Sequence, residues 1–522
     1  MALACLAARS WRFDQIMTES SADEPLIVDV LAHASRFYPD HLALIDLATS
    51  RRFTYRQLFD RVRRLANAWS ALGVRRGDRV MTVARNSTDI YEMMFAAWRM
   101  GVAFMPINWR LARPELIEIQ RDGSPTLIVV DKEFSTSIDI SLSKVLLRRP
   151  GEPASDYERA ISAASPDHCF CGQSLDDMNL LLYTSGTTGR PKGVIGNWRM
   201  TLTMLMQSAL TARLGPGCVT LTAAPLFHTA GLNSYATPTL YAGGTIAVMG
   251  VWTPESCLDA LADPDLAVTH TLGVPTQFLA MSRHPKFADA RFPKLQIAAI
   301  GGAPPTADLM TTWAAKGCGL APGYGMTEVF GGANLPHDEA IKKLGAVGRA
   351  VPMTEIRIAS EQGALISAGQ VGEIQIKSPG VTPGYWHQPQ ATHEAFIDGW
   401  LRTGDMGFMD ADGILFLVDR KKDMFISGGE NVYPAEIENV LSDFPEIAQV
   451  AVIGVRDPTW GEVGRAVVVP RPGHVIDPAE LLARCRGKIA PYKIPKSIVV
   501  VEALPLSAQG KVLKNELRGQ HG

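Results

Sequence analysis

The sequence lacks the patterns that would place the protein in a membrane or on a nucleic acid. None of its apolar runs reaches the ~18 residues that a membrane-spanning helix requires, although peripheral membrane contact stays open. The 51 lysine and arginine residues nearly balance the 53 aspartate and glutamate residues, and no long basic run is present. Nucleic acids are therefore not indicated as partners, and small-molecule chemistry is favoured.

Cysteine is also scarce, with seven residues among 522. The cysteines are thinly spread, and the sequence has neither a Cys-x-x-Cys pair nor a His-Glu-x-x-His zinc pattern. Segment 168–171, His-Cys-Phe-Cys, has metal-binding residue types but lies in a polar stretch without a second ligand cluster. Residues 1–16 lack the basic start of a secretory signal, and Met17 is an alternative start. We therefore expect a protein of the reducing cytoplasm.

Length and periodicity predict an α/β protein with more than one domain. A chain of this length exceeds one compact core, and 46% hydrophobic with 20% charged residues is ordinary for a globular protein. From about residue 26, helical and strand patterns alternate, as where Thr54 caps a helix that Gly73 ends before a strand at 78–84. Such alternation predicts parallel sheets with helices on both faces. Residues 148–177 lack periodicity and are predicted to be a connection, and the last hundred residues form a separate βα unit.

The strongest chemical signal is segment 183–193, Tyr-Thr-Ser-Gly-Thr-Thr-Gly-Arg-Pro-Lys-Gly, which follows an apolar run. Its glycines allow close backbone approach to an anion, and its hydroxyls, N–H groups and lysine can all bind phosphate oxygens. A Walker loop is excluded, because Pro191 and Gly193 occupy positions that it reserves for glycine and a hydroxyl residue. The segment therefore predicts a polyphosphate cradle. Its candidate binding residues are Thr184, Ser185, Gly186, Thr187, Thr188, Gly189 and Lys192.

Further segments along the chain carry polar groups suited to a nucleotide. Segment 300–304, Ile-Gly-Gly-Ala-Pro, follows a predicted strand, and its glycines permit a flat ring to approach. Segment 323–328, Gly-Tyr-Gly-Met-Thr-Glu, combines an aromatic face, a hydroxyl and a carboxylate, although a simple turn would also explain it. Asp405 offers the bidentate acceptor geometry that two vicinal hydroxyls need. His228, by contrast, could be an ordinary core histidine.

In this order the motifs resemble those of the adenylate-forming superfamily, which includes acyl-CoA synthetases, nonribosomal adenylation domains and firefly luciferase. The resemblance spans about residues 26–515. It implies a large N-terminal domain with doubly wound sheets in αβαβα layers and a small mobile α+β C-terminal domain. It places the N-terminal adenylation domain at 17–419, the hinge at 420–422 with Lys422 at its centre, and the C-terminal lid domain at 423–522.

The resemblance also implies a role for each motif. Tyr324 would stack on adenine beside Gly302, Ala303, Pro304, Gly323 and Gly325, and Thr327 would meet the α-phosphate. Glu328 would hold Mg²⁺, which neutralises phosphate charge. Asp405 and Arg420 would bind ribose, and Lys511 in the terminal Gly-Lys turn would be the adenylating lysine, with His228 at the acyl pocket. The predicted coenzyme A segment comprises Ser427, Gly428, Gly429 and Glu430.

These roles predict an ATP-dependent acyl-CoA ligase that forms an acyl-AMP intermediate. No carboxylate occurs between residues 227 and 250, where an amino-acid-activating domain would pair its substrate's amine. A carrier-protein ligase, a luciferase-like oxygenase and a non-catalytic nucleotide sensor stay open as alternatives. The acid is hydrophobic, either a medium- or long-chain fatty acid or an aromatic, cinnamate-type acid. The expected pocket residues are His228, Asn233, Ser234, Thr271, Gly273, Gly301, Ala303 and Gly325. Oligomeric state is open, a homodimer included.

Overall fold

The structure is a computed structural model, and part of the chain is described in it. The described residues are 29–167, 170–185, 191–360, 362–420, 423–427, 430–458, 460–486, 488–489, 491–507 and 510–522. For residues 185, 419, 420, 430 and 431 only the backbone is described. Consequently Gly186, Thr187, Thr188, Gly189, Lys422, Gly428 and Gly429 lie outside the described residues, as do His168 and Cys169.

Helices and strands alternate through the described chain, as the periodicity predicted. The helices are α1 (Val30–Phe37), α2 (Tyr55–Ala71), α3 (Asp89–Met100), α4 (Arg113–Gly123), α5 (Asp156–Ala163), α6 (Trp198–Thr211), α7 (Thr229–Leu232), α8 (Ala236–Tyr241), α9 (Pro254–Ala262), α10 (Pro275–Ser282), α11 (Ala307–Ala314), α12 (His337–Ala340), α13 (Pro389–Ala395), α14 (Pro434–Ser442), α15 (Pro478–Cys485) and α16 (Lys514–His521). The strands are β1 (Leu42–Asp46), β2 (Arg52–Thr54), β3 (Arg79–Val83), β4 (Ala103–Ile107), β5 (Leu127–Asp131), β6 (Lys144–Arg148), β7 (Met178–Ser185), β8 (Pro191–Asn197), β9 (Val219–Thr222), β10 (Thr245–Val248), β11 (His270–Gly273), β12 (Ile297–Ile300), β13 (Leu320–Met326), β14 (Val329–Asn334), β15 (Ala346–Ala350), β16 (Glu355–Ala359), β17 (Gly372–Lys377), β18 (Phe396–Ile397), β19 (Trp400–Met409), β20 (Leu415–Arg420), β21 (Phe425–Ser427), β22 (Glu430–Val432), β23 (Ile447–Asp457), β24 (Gly461–Pro470) and β25 (Ser497–Val500).

Two sheets form the large N-terminal part. One has six strands in the order β6-β5-β3-β4-β7-β8, parallel except for the β7–β8 hairpin. The other has fourteen strands, and its β10-β9-β11-β12-β13 section is parallel. From β13 to β20 its pairing becomes antiparallel, which the alternating pattern did not predict.

Three hydrophobic cores arrange these sheets in layers. The central core joins α2, α3 and α6 to residues of both sheets, including the buried Trp69, Trp98 and Trp198. A second core packs α9, α10 and α11 on the far face of the large sheet, around Trp313. A third packs α4 on the far face of the smaller sheet. The αβαβα order of layers is therefore confirmed.

The C-terminal part has its own five-stranded sheet, formed by β21–β25, and its own cores. Helix α14 buries Ile437 and Leu441, which lie four residues apart on one helix face, against this sheet. Asp477 caps α15 by accepting hydrogen bonds from the N–H groups of Ala479 and Glu480. This helix ends at Cys485. The mixed α/β fold with a separate C-terminal unit is thus confirmed.

One predicted connection contains a helix. Within residues 148–177, Ser155 caps α5, whose Tyr157 and Ile161 are buried in the central core. The helix is too short for its two apolar positions to produce a visible period. Among the described residues, no helix is long and apolar enough to span a bilayer.

Candidate active site

The predicted phosphate segment begins and ends on the β7–β8 hairpin, so its expected strand entry is confirmed. Thr184 lies opposite Lys192 in this hairpin, and the Thr184 hydroxyl donates a hydrogen bond to the Lys192 carbonyl at 3.5 Å. The hairpin therefore fixes both ends of the segment.

A chain of side chains connects this hairpin to the predicted metal-binding carboxylate. The Lys192 ammonium lies 5.3 Å from the centroid of the Tyr385 ring. The Tyr385 hydroxyl donates a hydrogen bond to Glu328 Oε1 at 2.8 Å. Burial, and secondarily the Glu328 charge, raises the pKa of Tyr385. The structure thus brings Lys192 and Glu328 to opposite sides of one tyrosine.

Tyr385 was missed by the sequence analysis. It follows Pro383 and Gly384 and bridges to Val194 of β8 as an isolated sheet pair. A tyrosine and a tryptophan directly after a Pro-Gly turn were the only available signal. That signal does not indicate which strand the turn will contact.

Glu328 and Thr327 lie in the tight connection between β13 and β14, and both are largely buried. A magnesium ion is usually held by one or two carboxylates together with substrate phosphates. Glu328 supplies one such carboxylate next to the phosphate segment, and the Tyr385 hydroxyl fixes its orientation. No cluster of three or more His, Cys, Asp or Glu side chains suited to a metal occurs in the described parts of the chain. The residues therefore fit an ion held jointly with nucleotide phosphates.

A second pair of side chains joins β13 to β19. The Tyr324 hydroxyl donates to Asp405 Oδ2 at 2.8 Å. The Asp405 N–H donates to the Thr403 hydroxyl at 3.1 Å, and Asp405 lies opposite Arg420 in the β19–β20 pair. Residues that are far apart in sequence are thereby brought together, and their roles in binding adenine and ribose stay predictions.

An open ledge follows β12, the strand beside β13. The Gly301 N–H donates to the Gly273 carbonyl at 3.2 Å, and a Cβ on Gly301 would lie 3.3 Å from the Gly323 carbonyl oxygen. Gly302 has a φ of +85° and is exposed, as are Ala303 and Pro304. The backbone here is accessible from one side, as a flat ring would require.

His228 caps α7, the short helix that follows β9. Its Nδ1 accepts a hydrogen bond from the Ala230 N–H at 3.3 Å. Burial, together with the Lys511 charge, lowers the pKa of His228 to about 4. The imidazole is therefore neutral at pH 7, and its proton lies on Nε2.

Lys511 approaches the same ledge from the C-terminal part. Its Cε lies 3.3 Å, and its Nζ 4.0 Å, from the position of a Cβ on Gly302. The lysine lies in a turn closed by a hydrogen bond from the Ser507 N–H to the Lys511 carbonyl at 2.7 Å. The structure thus brings Lys511 close to His228 and Gly302, from which it is separated by more than two hundred residues.

The expected acyl-pocket residues separate into two groups. The Thr271 hydroxyl donates to the Leu221 carbonyl at 3.1 Å, and a Cβ on Gly273 would lie 3.0 Å from the Phe278 ring. Both positions are buried within the fold, as is Asn233. The others retain exposed surface: His228, Ser234 and Gly301 are half-buried, and Ala303 and Gly325 are exposed.

Ser427 of the predicted coenzyme A segment is buried in the C-terminal sheet. Its strand partners are Gly461 and Glu430, both of that sheet. The neighbouring Ile426 is 49% exposed. Phe425 and Val432, on either side of this segment, pack in one core of the C-terminal unit, whereas Val512, next to Lys511, packs against its other core.

Comparisons with known proteins agree with this site. Residues 31–386 match the AMP-binding enzyme family, and residues 436–511 match the AMP-binding enzyme C-terminal domain. The chain belongs to this family of AMP-binding enzymes. Within the adenylate-forming superfamily it falls in the acyl-CoA synthetase branch, so it is an AMP-forming acid–thiol ligase.

Curated relatives and solved structures cover nearly the whole chain. It is 40% identical to a feruloyl-CoA synthase of Amycolatopsis sp over 90% of this chain and 94% of the relative. It is 34% identical to the long-chain-fatty-acid–CoA ligase FadD13 of Mycobacterium tuberculosis over 92% and 95%, respectively. The crystal structure of ATP-bound MatB from Rhodopseudomonas palustris is similar, with a TM-score of 0.88 and 31% identity over 94% of this chain and 98% of that chain.

Proposed function

We propose that the protein joins a hydrophobic carboxylic acid to coenzyme A in two steps that share one site. A carboxylate is a poor electrophile, so its oxygen first attacks the α-phosphate of ATP, and pyrophosphate leaves. The resulting acyl-AMP is a mixed anhydride, whose carbonyl the coenzyme A thiol then attacks with release of AMP. Both steps bring negative charges together, so preorganised cations and donors should supply much of the rate.

The position of Lys511 is the observation that carries this proposal. Its side chain reaches the Gly302 ledge, within electrostatic range of His228. A cation at this point can neutralise the substrate carboxylate and the α-phosphate as they approach each other. His228 would line the entry for the acid. Because its imidazole is neutral, it would not compete with Lys511 for the substrate's negative charge.

The remaining site residues receive roles in nucleotide binding. Thr184, Lys192 and the segment between them would hold the β- and γ-phosphates, and Thr327 the α-phosphate. Tyr324 would face adenine, and Asp405 and Arg420 would bind the ribose. A magnesium ion at Glu328 would neutralise phosphate charge during the first step.

For the second step we propose that the C-terminal unit, residues 423–522, rotates about a hinge at residues 420–422. The rotation would carry Lys511 away from the ledge and bring Ser427 to Glu430 towards the thiol's path. This rotation is supported by the packing of the C-terminal unit, in which the strand that carries Ser427 and the turn that carries Lys511 belong to different cores. We place the N-terminal adenylation domain at 17–419, and the protein in the cytoplasm.

We also propose which class of carboxylic acid the protein activates. Aromatic and long-chain acids appear in the names of relatives with 40% and 34% identity. The residues that retain exposed surface near His228 are small or polar, and they suit a flat ring as well as a chain. We therefore propose an aromatic, cinnamate-type acid first and a fatty acid second. Transfer to a carrier protein is the alternative acceptor.

The test measures ATP–pyrophosphate exchange and thiol consumption across a panel of cinnamate-type, benzoate-type and C4–C16 fatty acids. Exchange should depend on the added acid, and coenzyme A should be consumed in step with AMP release. Exchange with no consumption of free coenzyme A would instead indicate a carrier acceptor. No exchange with any acid would contradict the proposal.

A further inference from the structure

The turn that carries Lys511 docks on the start of helix α10 through a glycine. Gly510 has a φ of +75°, and a Cβ there would lie 2.6 Å from the Thr276 hydroxyl oxygen and 3.5 Å from Val274 Cγ2. An approach of 2.6 Å is shorter than contacts that Cβ atoms make. A larger residue at position 510 would therefore require the Thr276 side chain to move or be replaced.

The same surface also contacts the ledge. Val274 Cγ1 lies 3.4 Å from the position of a Cβ on Gly302, and Lys511 Cε lies 3.3 Å from it. Val274 therefore lies beside both Gly510, which precedes Lys511, and Gly302 of the ledge. We call Val274, Thr276 and Gly302 the lysine seat.

Ordinary helix capping does not explain Thr276. The Val274 N–H, at the start of α10, donates to Gln277 Oε1 at 3.2 Å, so Gln277 provides the local side-chain bond. In the described part of the chain no hydrogen bond joins the Thr276 hydroxyl to another residue, although the side chain is half-buried. Its close neighbour is the turn at Gly510.

At the other end of α10, like charges of the two parts of the chain face each other. Arg283 follows this helix, and burial and the nearby positive charge of Arg471, from the C-terminal unit, lower the pKa of Arg283. Asp308 opposes that effect.

We propose that Thr276 is a positioning residue that acts through Lys511, by setting the depth at which Gly510 docks on the lysine seat. This inference rests on the proposed two-step function. The seat is occupied only while Lys511 points at the ledge, so Thr276 acts in acid adenylation and has no role in thioester formation.

A disulfide cross-link tests the contact without relying on activity. A Cβ on Gly510 would lie 3.8 Å from Thr276 Cβ, which matches the separation of about 3.8 Å that disulfides prefer. The double variant Thr276→Cys/Gly510→Cys is treated with oxidised glutathione, which takes up the two electrons released when the thiols join. Mass spectrometry of the digest should find the 276–510 cross-link, and neither single variant should give it. Absence of the cross-link in the double variant would overturn the proposal.

The oxidised double variant also separates the two steps. We expect it to retain a single round of acyl-AMP formation and to lose thioester formation by at least about tenfold until a reductant opens the bond. If the oxidised and the reduced double variant consume coenzyme A at the same rate, the lysine seat is not specific to acid adenylation, and this outcome would contradict the proposal.

Side-chain size at position 276 provides the second test. Thr276→Phe fills the seat, so ATP–pyrophosphate exchange should fall by about 10²-fold, as a displacement of about 1 Å can cause. Thioester formation from supplied acyl-AMP should stay within about twofold, and Thr276→Ser should restore exchange. Thr311→Phe, on the exposed face of α11, is the matched control for bulk on a helix. Equal losses in both half-reactions, or no loss in either, would overturn the proposal. If wild-type protein shows no acid-dependent exchange, the proposed function fails, and the cross-link still tests the seat.

Discussion

The nucleotide side and the lysine side of the site are built differently. On the nucleotide side, hydrogen bonds between side chains join distant strands, as in Tyr324 to Asp405 at 2.8 Å and Tyr385 to Glu328 at 2.8 Å. On the lysine side, two parts of the chain meet by close packing over glycines at Gly302 and Gly510. The first arrangement is part of the fold's own sheet, whereas the second can separate without breaking a strand pair. Substitutions on the two sides should therefore affect the two half-reactions differently.

The sharpest test of this difference is Lys511→Ala. We expect acid adenylation to fall by about 10²-fold or more, because a preorganised charge at the reacting atoms is lost. Thioester formation from supplied acyl-AMP should be nearly intact, since the α-phosphate has already reacted. Rapid-quench measurement of each half-reaction checks this. Equal slowing of both half-reactions would show that Lys511 stays in the site during both steps, as the nucleotide-binding residues do.

Lys192→Ala should cause a smaller loss of activity, and this loss should affect the use of ATP. A hydrogen bond to a charged group contributes about 1.5–3 kcal/mol, so we expect ATP use to weaken at least tenfold. Use of acyl-AMP should change little, because the β- and γ-phosphates are then absent. KM for ATP and binding of acyl-AMP are the two measurements, with Lys192→Arg as the control that keeps the charge. Weaker acyl-AMP binding of the same size would contradict the assignment to the terminal phosphates.

Tyr385→Phe should have a more modest effect at the same end of the site. It removes the hydroxyl that donates to the Glu328 carboxylate, which we expect to cost about 1.5 kcal/mol, or roughly tenfold. The loss should appear as a higher magnesium concentration for half-maximal adenylation, because an unoriented carboxylate holds the ion less well. Tyr324→Phe is the matched control, since it removes the hydroxyl that faces Asp405. The same magnesium dependence in both variants would contradict this prediction.

The sequence predicted the parts of the site that lie in single segments. The apolar run before Thr184, the glycines after β12 and the lysine after Gly510 each carry their chemistry within a few residues. The strand that enters the phosphate segment and the ledge after β12 were confirmed for this reason. Roles assigned to individual residues by resemblance stay predictions.

Contacts between distant segments were not predictable in the same way. Tyr385, Val274 and Thr276 act through what they touch, and their neighbours in sequence do not indicate those contacts. The antiparallel part of the large sheet was missed because alternating patterns reveal strands but not their partners. Thr271 and Gly273 were expected in the acyl pocket; both are buried, beside Leu221 and Phe278 respectively, and their role in a pocket stays a prediction. Burial of this kind is decided by tertiary packing.

The smallest expected effect concerns His228, where the two sides meet. Burial first, and the Lys511 charge second, lower the pKa of His228 to about 4. An unfolded histidine has a pKa near 6.5, so the unfolded chain binds this proton more tightly, and the neutral form's stabilising contribution is lost as pH falls from 6.5 towards 4. Between pH 7 and 8 adenylation should therefore show no inflection from His228. In Lys511→Ala its NMR titration midpoint should rise but stay below 6.5, because burial, the larger cause, persists. An unchanged midpoint would mean that the lysine side does not contact this histidine in solution.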